Sequence, residues 1–225
     1  MESKPYDGPE ILLECPRCKK KYPRHLCQVV NCAEMPEAAD AILQGTFFDF
    51  RCPHCGREED SFLPMAYFDP VNKYLFYLDG KEEDKLCSLL MDNQIKALGD
   101  IGSLSEYRIR EVHLPADLAE KIRLGYLGLD DRIIELCKLP IVHGFHQKFP
   151  DKKLYRVALI DKGFYQEFLI CPYNSESLYH AEFSRELYDD LERRFSAFLP
   201  PDRGEKICID QAWAVSLFQP NGIQQ

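Results

Sequence analysis

Two cysteine pairs of identical spacing, Cys15-Pro16-Arg17-Cys18 and Cys52-Pro53-His54-Cys55, constrain this chain more than any other feature. A two-residue gap lets both sulfurs of a pair turn toward one centre. Four thiolates from two such pairs suit a tetrahedral ion bonded at about 2.3 Å. Proline after the first cysteine stiffens each turn. Gly56, after the second pair, permits the positive φ that points backbone N–H groups at thiolates. One divalent zinc with four thiolates is a closed site of net charge −2. Cys15, Cys18, Cys52 and Cys55 are therefore the expected metal ligands, with one Zn2+ per chain. Iron in the same four-cysteine site stays open, because all-sulfur ligation suits both metals.

Thiol–disulfide exchange is the rival chemistry. It needs a cysteine at the start of a helix, where the dipole lowers its pKa. Neither Lys19-Lys20-Lys21-Tyr22-Pro23 nor Gly56-Arg57-Glu58-Glu59-Asp60 reads as a long amphipathic helix. Two matched motifs also exceed what one redox centre needs.

Composition narrows the surroundings. The 225 residues are 45% apolar and 29% charged, which suits a chain with a buried core. The net charge of −9 gives no overall field to attract phosphates. No apolar run is long enough to span a bilayer. Met1–Glu10 has neither a hydrophobic segment nor a cleavage site, so the cytoplasm is the expected compartment. There cysteines stay reduced, and paired ones point to metal.

Pattern changes divide the chain. Ile11–Glu14 reads as a strand, and Lys19–Val30 as extended. Pro36 opens a helix that Gly45 ends. Thr46–Phe50 reads as a strand. Ser61–Phe68 and Val71–Leu78 read as strands around an Asp69-Pro70-Val71-Asn72 turn. A charged stretch, 79–85, marks the expected boundary, and 85–98 looks helical. Beyond it come a strand over Glu106–Leu114 and helices over Pro115–Leu127 and Asp130–Val142. Strands over Leu154–Ile160 and Phe164–Cys171 follow. A helix over Ser184–Phe198 carries Leu187, Leu191, Phe195 and Phe198 on one face. Ile207–Ile209 is a short strand, and Asp210 caps a last helix holding Trp213. The expected class is α+β. It comprises a β-rich zinc-ribbon-like domain with a helical insert over 9–80, a helical linker over 81–104 and an α+β domain over 105–220.

Several of these residues carry a resemblance. The run Ile11-Leu12-Leu13-Glu14-Cys15-Pro16-Arg17-Cys18, then Gly45, then Phe50-Arg51-Cys52-Pro53-His54-Cys55-Gly56, then Tyr67-Phe68-Asp69-Pro70, resembles the CpXC-domain family across roughly residues 9–80. Glu120-Lys121-Ile122 and Gly128 to Glu135 resemble a stretch often found downstream in such chains. The resemblance implies a bacterial or archaeal domain of unassigned activity that binds metal through those cysteines. It supplies no substrate and no catalytic residue.

Other groups are weighed against plainer roles. Arg17, Lys19, Lys20, Lys21 and Arg24 make a short basic run that could contact nucleic-acid phosphates. Beside a −2 centre it also offsets the metal site's charge, which is the preferred reading. Phe62, Tyr67, Phe68, Tyr74, Phe76 and Tyr77 could stack on bases; core packing is preferred. His143 and His146 lie three apart with no evident third ligand. Asp130 and Asp131 open a helix, and N-capping accounts for them. Cys27 and Cys32 lie between the motifs and could replace a ligand; burial as small apolar groups is preferred. Cys87, Cys137, Cys171 and Cys208 read the same way. There is no Gly-rich phosphate loop, nucleophile elbow or HExxH motif. The leading expectation is a non-catalytic cytoplasmic binding or adaptor protein with a protein partner. A nucleic-acid-binding zinc ribbon comes second, and an enzyme with its site in the C-terminal part third.

Overall fold

The computed structural model describes residues 10–25, 27–59, 62, 64–79, 95 and 103–219. By internal contacts they fall into two units, Met1–Ala119 with Arg203–Ile207, and Glu120–Asp202 with Cys208–Gln225. The fold is mixed α+β.

The first unit begins with an antiparallel hairpin, β1 (Glu10–Glu14) and β2 (Lys21–His25). Strand β3 (Val29–Asn31) leads to helix α1 (Pro36–Leu43), which has proline in its first turn and buries Ala38, Ala39 and Ile42. Gly45, at φ +77°, follows the C-cap Gln44, and the N–H groups of Thr46 and Phe47 return to the Ala41 carbonyl. That turn consumes residues expected to be strand. Only Phe50–Arg51 (β4) pairs, with Glu58–Glu59 (β5).

Strands β6 (Met65–Asp69) and β7 (Tyr74–Leu78) form the anticipated hairpin. Asp69 accepts the N–H groups of Val71 and Asn72, and Lys73 adopts φ +61°. The turn therefore reaches residue 73 and delays β7 to Tyr74. Strand β3 lies parallel to β6, and β8 (Arg108–Val112) parallel to β7. With β12 (Lys206–Cys208) the sheet order is β12-β8-β7-β6-β3.

This unit exceeds the 9–80 stretch suggested by sequence, because β8 pairs with β7 and the chain returns near its end. Gly204 makes that return possible. Its φ is +89°, its N–H bonds the Tyr107 carbonyl, and a Cβ there would sit 3.3 Å from the Ser105 Cα. The boundary expected at 79–85 falls almost wholly outside the described residues, as do Cys87 and most of the helical linker. Tyr67, Phe68, Tyr74 and Phe76 are buried, as core side chains.

The second unit packs helices on a three-stranded antiparallel sheet of order β11-β10-β9. The strands are β9 (Leu154–Asp161), β10 (Gln166–Pro172) and β11 (Tyr179–Glu182). Helix α2 (Pro115–Tyr126) runs into this unit, and α3 (Asp131–Lys148), α4 (Arg185–Phe195) and α5 (Gln211–Ser216) follow. Asp130, Ser184 and Asp210 cap α3, α4 and α5 by accepting N–H groups two or three residues on.

Two expectations are corrected here. Helix α3 passes through Pro140 and continues beyond Val142 to Lys148, because buried Val142 and Phe145 extend its core-facing stripe. The face expected on α4 holds in part, with Leu191 and Phe195 half-buried against the core. Leu187 and Phe198 are exposed, and buried Tyr188 holds the helix by accepting the Asp130 N–H through its hydroxyl. Ile133, Ile134, Cys137, Leu159, Phe168 and Tyr188 are among the core residues. Among the described residues no helix is long and apolar enough to cross a membrane.

Candidate metal centre

The two cysteine pairs fold into matching turns at the tips of two short hairpins. In the first, Cys15 N–H bonds the Lys20 carbonyl, and Lys19 N–H bonds the Cys15 carbonyl. In the second, Cys52 N–H bonds the Arg57 carbonyl, and Gly56 N–H bonds the Cys52 carbonyl. Gly56 takes φ +68°, as its sequence position suggested. Lys19, its counterpart, takes φ +59° without being glycine. This left-handed step lets both sulfurs and several N–H groups share one side of each turn.

The four sulfurs converge. Cys15 Sγ lies 3.7 Å from Cys55 Sγ, Cys18 Sγ lies 3.8 Å from Cys52 Sγ, and all four lie within 4.8 Å of one another. These separations are far too long for disulfides, and all four cysteines are free. They match the edge of a tetrahedron with bonds of about 2.3 Å, which is about 3.8 Å. The cluster could hold a metal ion.

Electrostatics favours the thiolate at Cys15. The Cys18 N–H, helped by Arg17 N–H and neighbouring thiols, outweighs burial and lowers Cys15 to about 6. Cys55 receives a lowering hydrogen bond from Arg57 N–H, yet burial and the adjoining thiols raise it to about 11. A bound cation would favour the thiolate at Cys55 against these raising influences.

Little apolar packing supports the hairpins otherwise. Buried Cys15, Tyr22 and Cys52 form a small cluster, with Leu13, Cys18, Phe50 and Cys55 against it. Tyr22 stacks on Phe50 at 5.0 Å, and Arg24 lies over the same ring at 4.8 Å. His54 Nε2 reaches the Lys21 carbonyl at 3.3 Å, tying the second turn to β2.

A protein-family model described as CpXC protein matches residues 13–138, just over half the chain, and spans all four cysteines. The chain belongs to the CpXC family. No curated protein and no solved structure matches it.

The remaining candidates in this CpXC chain fall outside the sulfur cluster. Cys27 is held at about 11, mainly by burial, and its thiol donates to the Val29 carbonyl. Burial also raises Cys32, beside Tyr67 and Asp69. Burial raises Cys137 to about 12 and pushes Cys171 upward. Arg17, Lys19, Lys20 and Lys21 are exposed around the first turn, whereas Arg24 is partly buried on Phe50. His143 and His146 are exposed on α3; His143 bonds Gln147, and neither joins a ligand cluster among the described residues.

Asp130, Asp131 and Asp202 do approach one another, but cationic side chains already engage them. Arg132 takes Asp130 and Asp202, and Lys121 takes Asp131 at 3.0 Å.

Sequence reasoning missed the network around Asp131. Glu120, Lys121, Asp131, Glu135 and Lys138 are each more than nine-tenths buried. Lys138 bonds Glu120 at 3.1 Å and Glu135 at 2.8 Å, and Lys121 bonds Glu135 at 3.3 Å. Arg156 from β9 reaches Glu120 at 3.0 Å. Three acids thus meet three bases. Glu135 and Lys138 lie three apart on one side of α3, so their spacing was the available signal. The family match includes all five buried residues.

Proposed function

We propose that this CpXC protein is a non-catalytic cytoplasmic adaptor for a protein partner, built on a zinc-ribbon-like pair of hairpins. Cys15, Cys18, Cys52 and Cys55 would hold one structural zinc ion. The observation that carries the metal reading is the sulfur geometry, with cross-hairpin separations of 3.7 and 3.8 Å. Four protein thiolates fill a tetrahedral shell and leave no coordination position for water or substrate. Zinc there would join two hairpins, each too short to persist alone. Partner recognition then falls to the surrounding protein surface.

Metal analysis tests this reading. Protein purified without chelators should contain one zinc per chain, with all-sulfur coordination by X-ray absorption. Cys15→Ser and Cys52→Ser should lose the metal or bind it at least ~100-fold more weakly, because a neutral hydroxyl replaces a charged thiolate. Cys27→Ser and Cys32→Ser should retain full occupancy. Nitrogen in the coordination shell, absent metal, or equal loss from Cys27→Ser would refute the ligand assignment. Iron in place of zinc would show as a coloured protein and keep the structural role.

A second reading is supported by the exposure of Arg17, Lys19, Lys20 and Lys21 on the first turn, where they could follow a phosphate backbone. With a net charge of −9, such binding should be weak at physiological salt. Alanine at Lys19, Lys20 and Lys21 together should abolish it in a filter-binding titration. Tight binding that survives the substitution would exclude this surface.

A further inference from the structure

The two edges of the β11-β10-β9 sheet are treated differently. On the β9 side, the outward N–H of Leu159 donates to Glu120 Oε1 at 2.7 Å, so a buried carboxylate occupies that edge. On the β11 side, no strand of the sheet follows, and among the described residues no backbone hydrogen bond from β11 runs to anything but β10. An open edge offers a row of backbone donors and acceptors to another strand.

The sequence of β11 says which strand fits. Tyr179-His180-Ala181-Glu182 alternates half-buried and exposed positions, with His180 and Glu182 exposed. Glu182 lies directly opposite Glu167 of β10, an unfavourable like-charge pair. Glu167 has counter-charges of its own, His180 Nδ1 at 3.1 Å and Lys162 Nζ at 3.7 Å. Glu182 has none among the described residues. Charged edge residues ordinarily deter strand addition. Here the pattern deters strangers but complements itself.

We propose that β11 pairs antiparallel with β11 of a second copy of this chain, centred on Ala181, to form a continuous six-stranded sheet. In that register Ala181 meets itself on the two-fold axis. His180 faces Glu182 of the partner subunit, and Glu182 faces His180 of the partner subunit. Tyr179 and Phe183 face one another across the junction twice. Two-fold symmetry makes every contact off the axis occur in duplicate, so a short strand counts nearly double.

Apolar surface accompanies the strand. A groove of about 680 Å³, lined in part by Leu127, Leu129, Ala181 and Phe183, opens beside the end of β11. Phe164 and Tyr165 stand exposed at its rim. The same register brings exposed Leu178 of the partner subunit opposite Ser184, next to Phe183 and the groove. The inference is independent of the metal centre and of any partner protein.

Charge exchange tests it on the full chain. Wild-type protein should dimerise reversibly in sedimentation equilibrium. Glu182→Lys should remain folded by circular dichroism, because it replaces a like-charge pair with Glu167 by an opposite one. It should weaken the dimer about tenfold or more, since both cross-axis pairs lose their attraction. Adding His180→Glu to Glu182→Lys restores complementary pairs and should return the dissociation constant to within about threefold of wild type. A wild type that stays monomeric, alone or with a foreign strand on this edge, overturns the proposal. So does a Glu182→Lys protein that dimerises normally, or a double variant that fails to recover.

Discussion

Treating the full chain with a strong chelator should unfold the two cysteine hairpins and leave the Glu120–Asp202 unit intact. The hairpins have little else to hold them. Strands β4 and β5 are two residues each, and the local core is the cysteines themselves with Tyr22, Phe50 and Leu13. Isolated two-stranded hairpins are marginal in water. Structural zinc supplies about 10–16 kcal/mol of apparent binding free energy at neutral pH. That rivals the whole stability of an ordinary domain, about 5–15 kcal/mol. Limited tryptic digestion should therefore gain cuts between Lys19 and Arg57 on chelation. The second unit, with its own core around Ile133, Cys137, Leu159 and Phe168, should persist as a protected fragment. Re-addition of zinc should close the new sites. Digestion unchanged by chelation would refute the structural role. Simultaneous sensitivity of the whole chain would mean that the second unit does not fold without the first.

Glu120→Gln should cost about 3–5 kcal/mol of stability, because it takes from Arg156 its carboxylate and from buried Lys138 one of its two, leaving three cations to two acids. Glutamine keeps the shape but removes the charge and turns one of the two accepting oxygens into a donor that faces Arg156 or Lys138. The contrast is Arg185→Ala, which breaks the exposed Arg185–Asp189 pair and should cost no more than about 1 kcal/mol. Urea unfolding of both variants decides the matter; near-equal midpoints would refute the network's energetic role.

The network also sets a pH profile. Burial opposes ionisation of Glu120, but Lys138, Arg156, Lys121 and the Leu159 N–H outweigh it and hold the carboxyl below its ordinary value. The unfolded chain therefore takes up this proton first. The contribution is complete above the ordinary carboxylate pKa and is lost as pH falls through the lowered folded one. Burial likewise works against charged Lys121 and Lys138, yet their acidic partners raise both. Their contribution is complete below the ordinary lysine pKa and lost only at more alkaline pH. In Glu120→Gln the acid limb should flatten.

The cysteine site was legible because its information is local. Each Cys-Pro-x-Cys turn is encoded within six residues, and matching spacing names the partners across the intervening chain. Caps at Asp130, Ser184 and Asp210 were legible for the same reason: side chain and backbone lie two or three residues apart. The strand over Thr46–Phe50 was misread because Phe47 and Phe48 favour strands by type, while Gly45 and the Ala41 carbonyl hold that segment in a turn.

From the sequence alone came the convergence of the four cysteines, the family and the α+β class, all carried by spacing, capping and alternation. Only the tertiary structure decided that β8 and β12 join the first sheet, that Tyr188 replaces Leu187 as the buried contact of α4, and that three acids and three bases neutralise one another in the second unit. Those outcomes depend on groups far apart in the chain. A buried charge looks like a surface charge until the residue that neutralises it is brought alongside, and that partner, such as Arg156 for Glu120, lies tens of residues away.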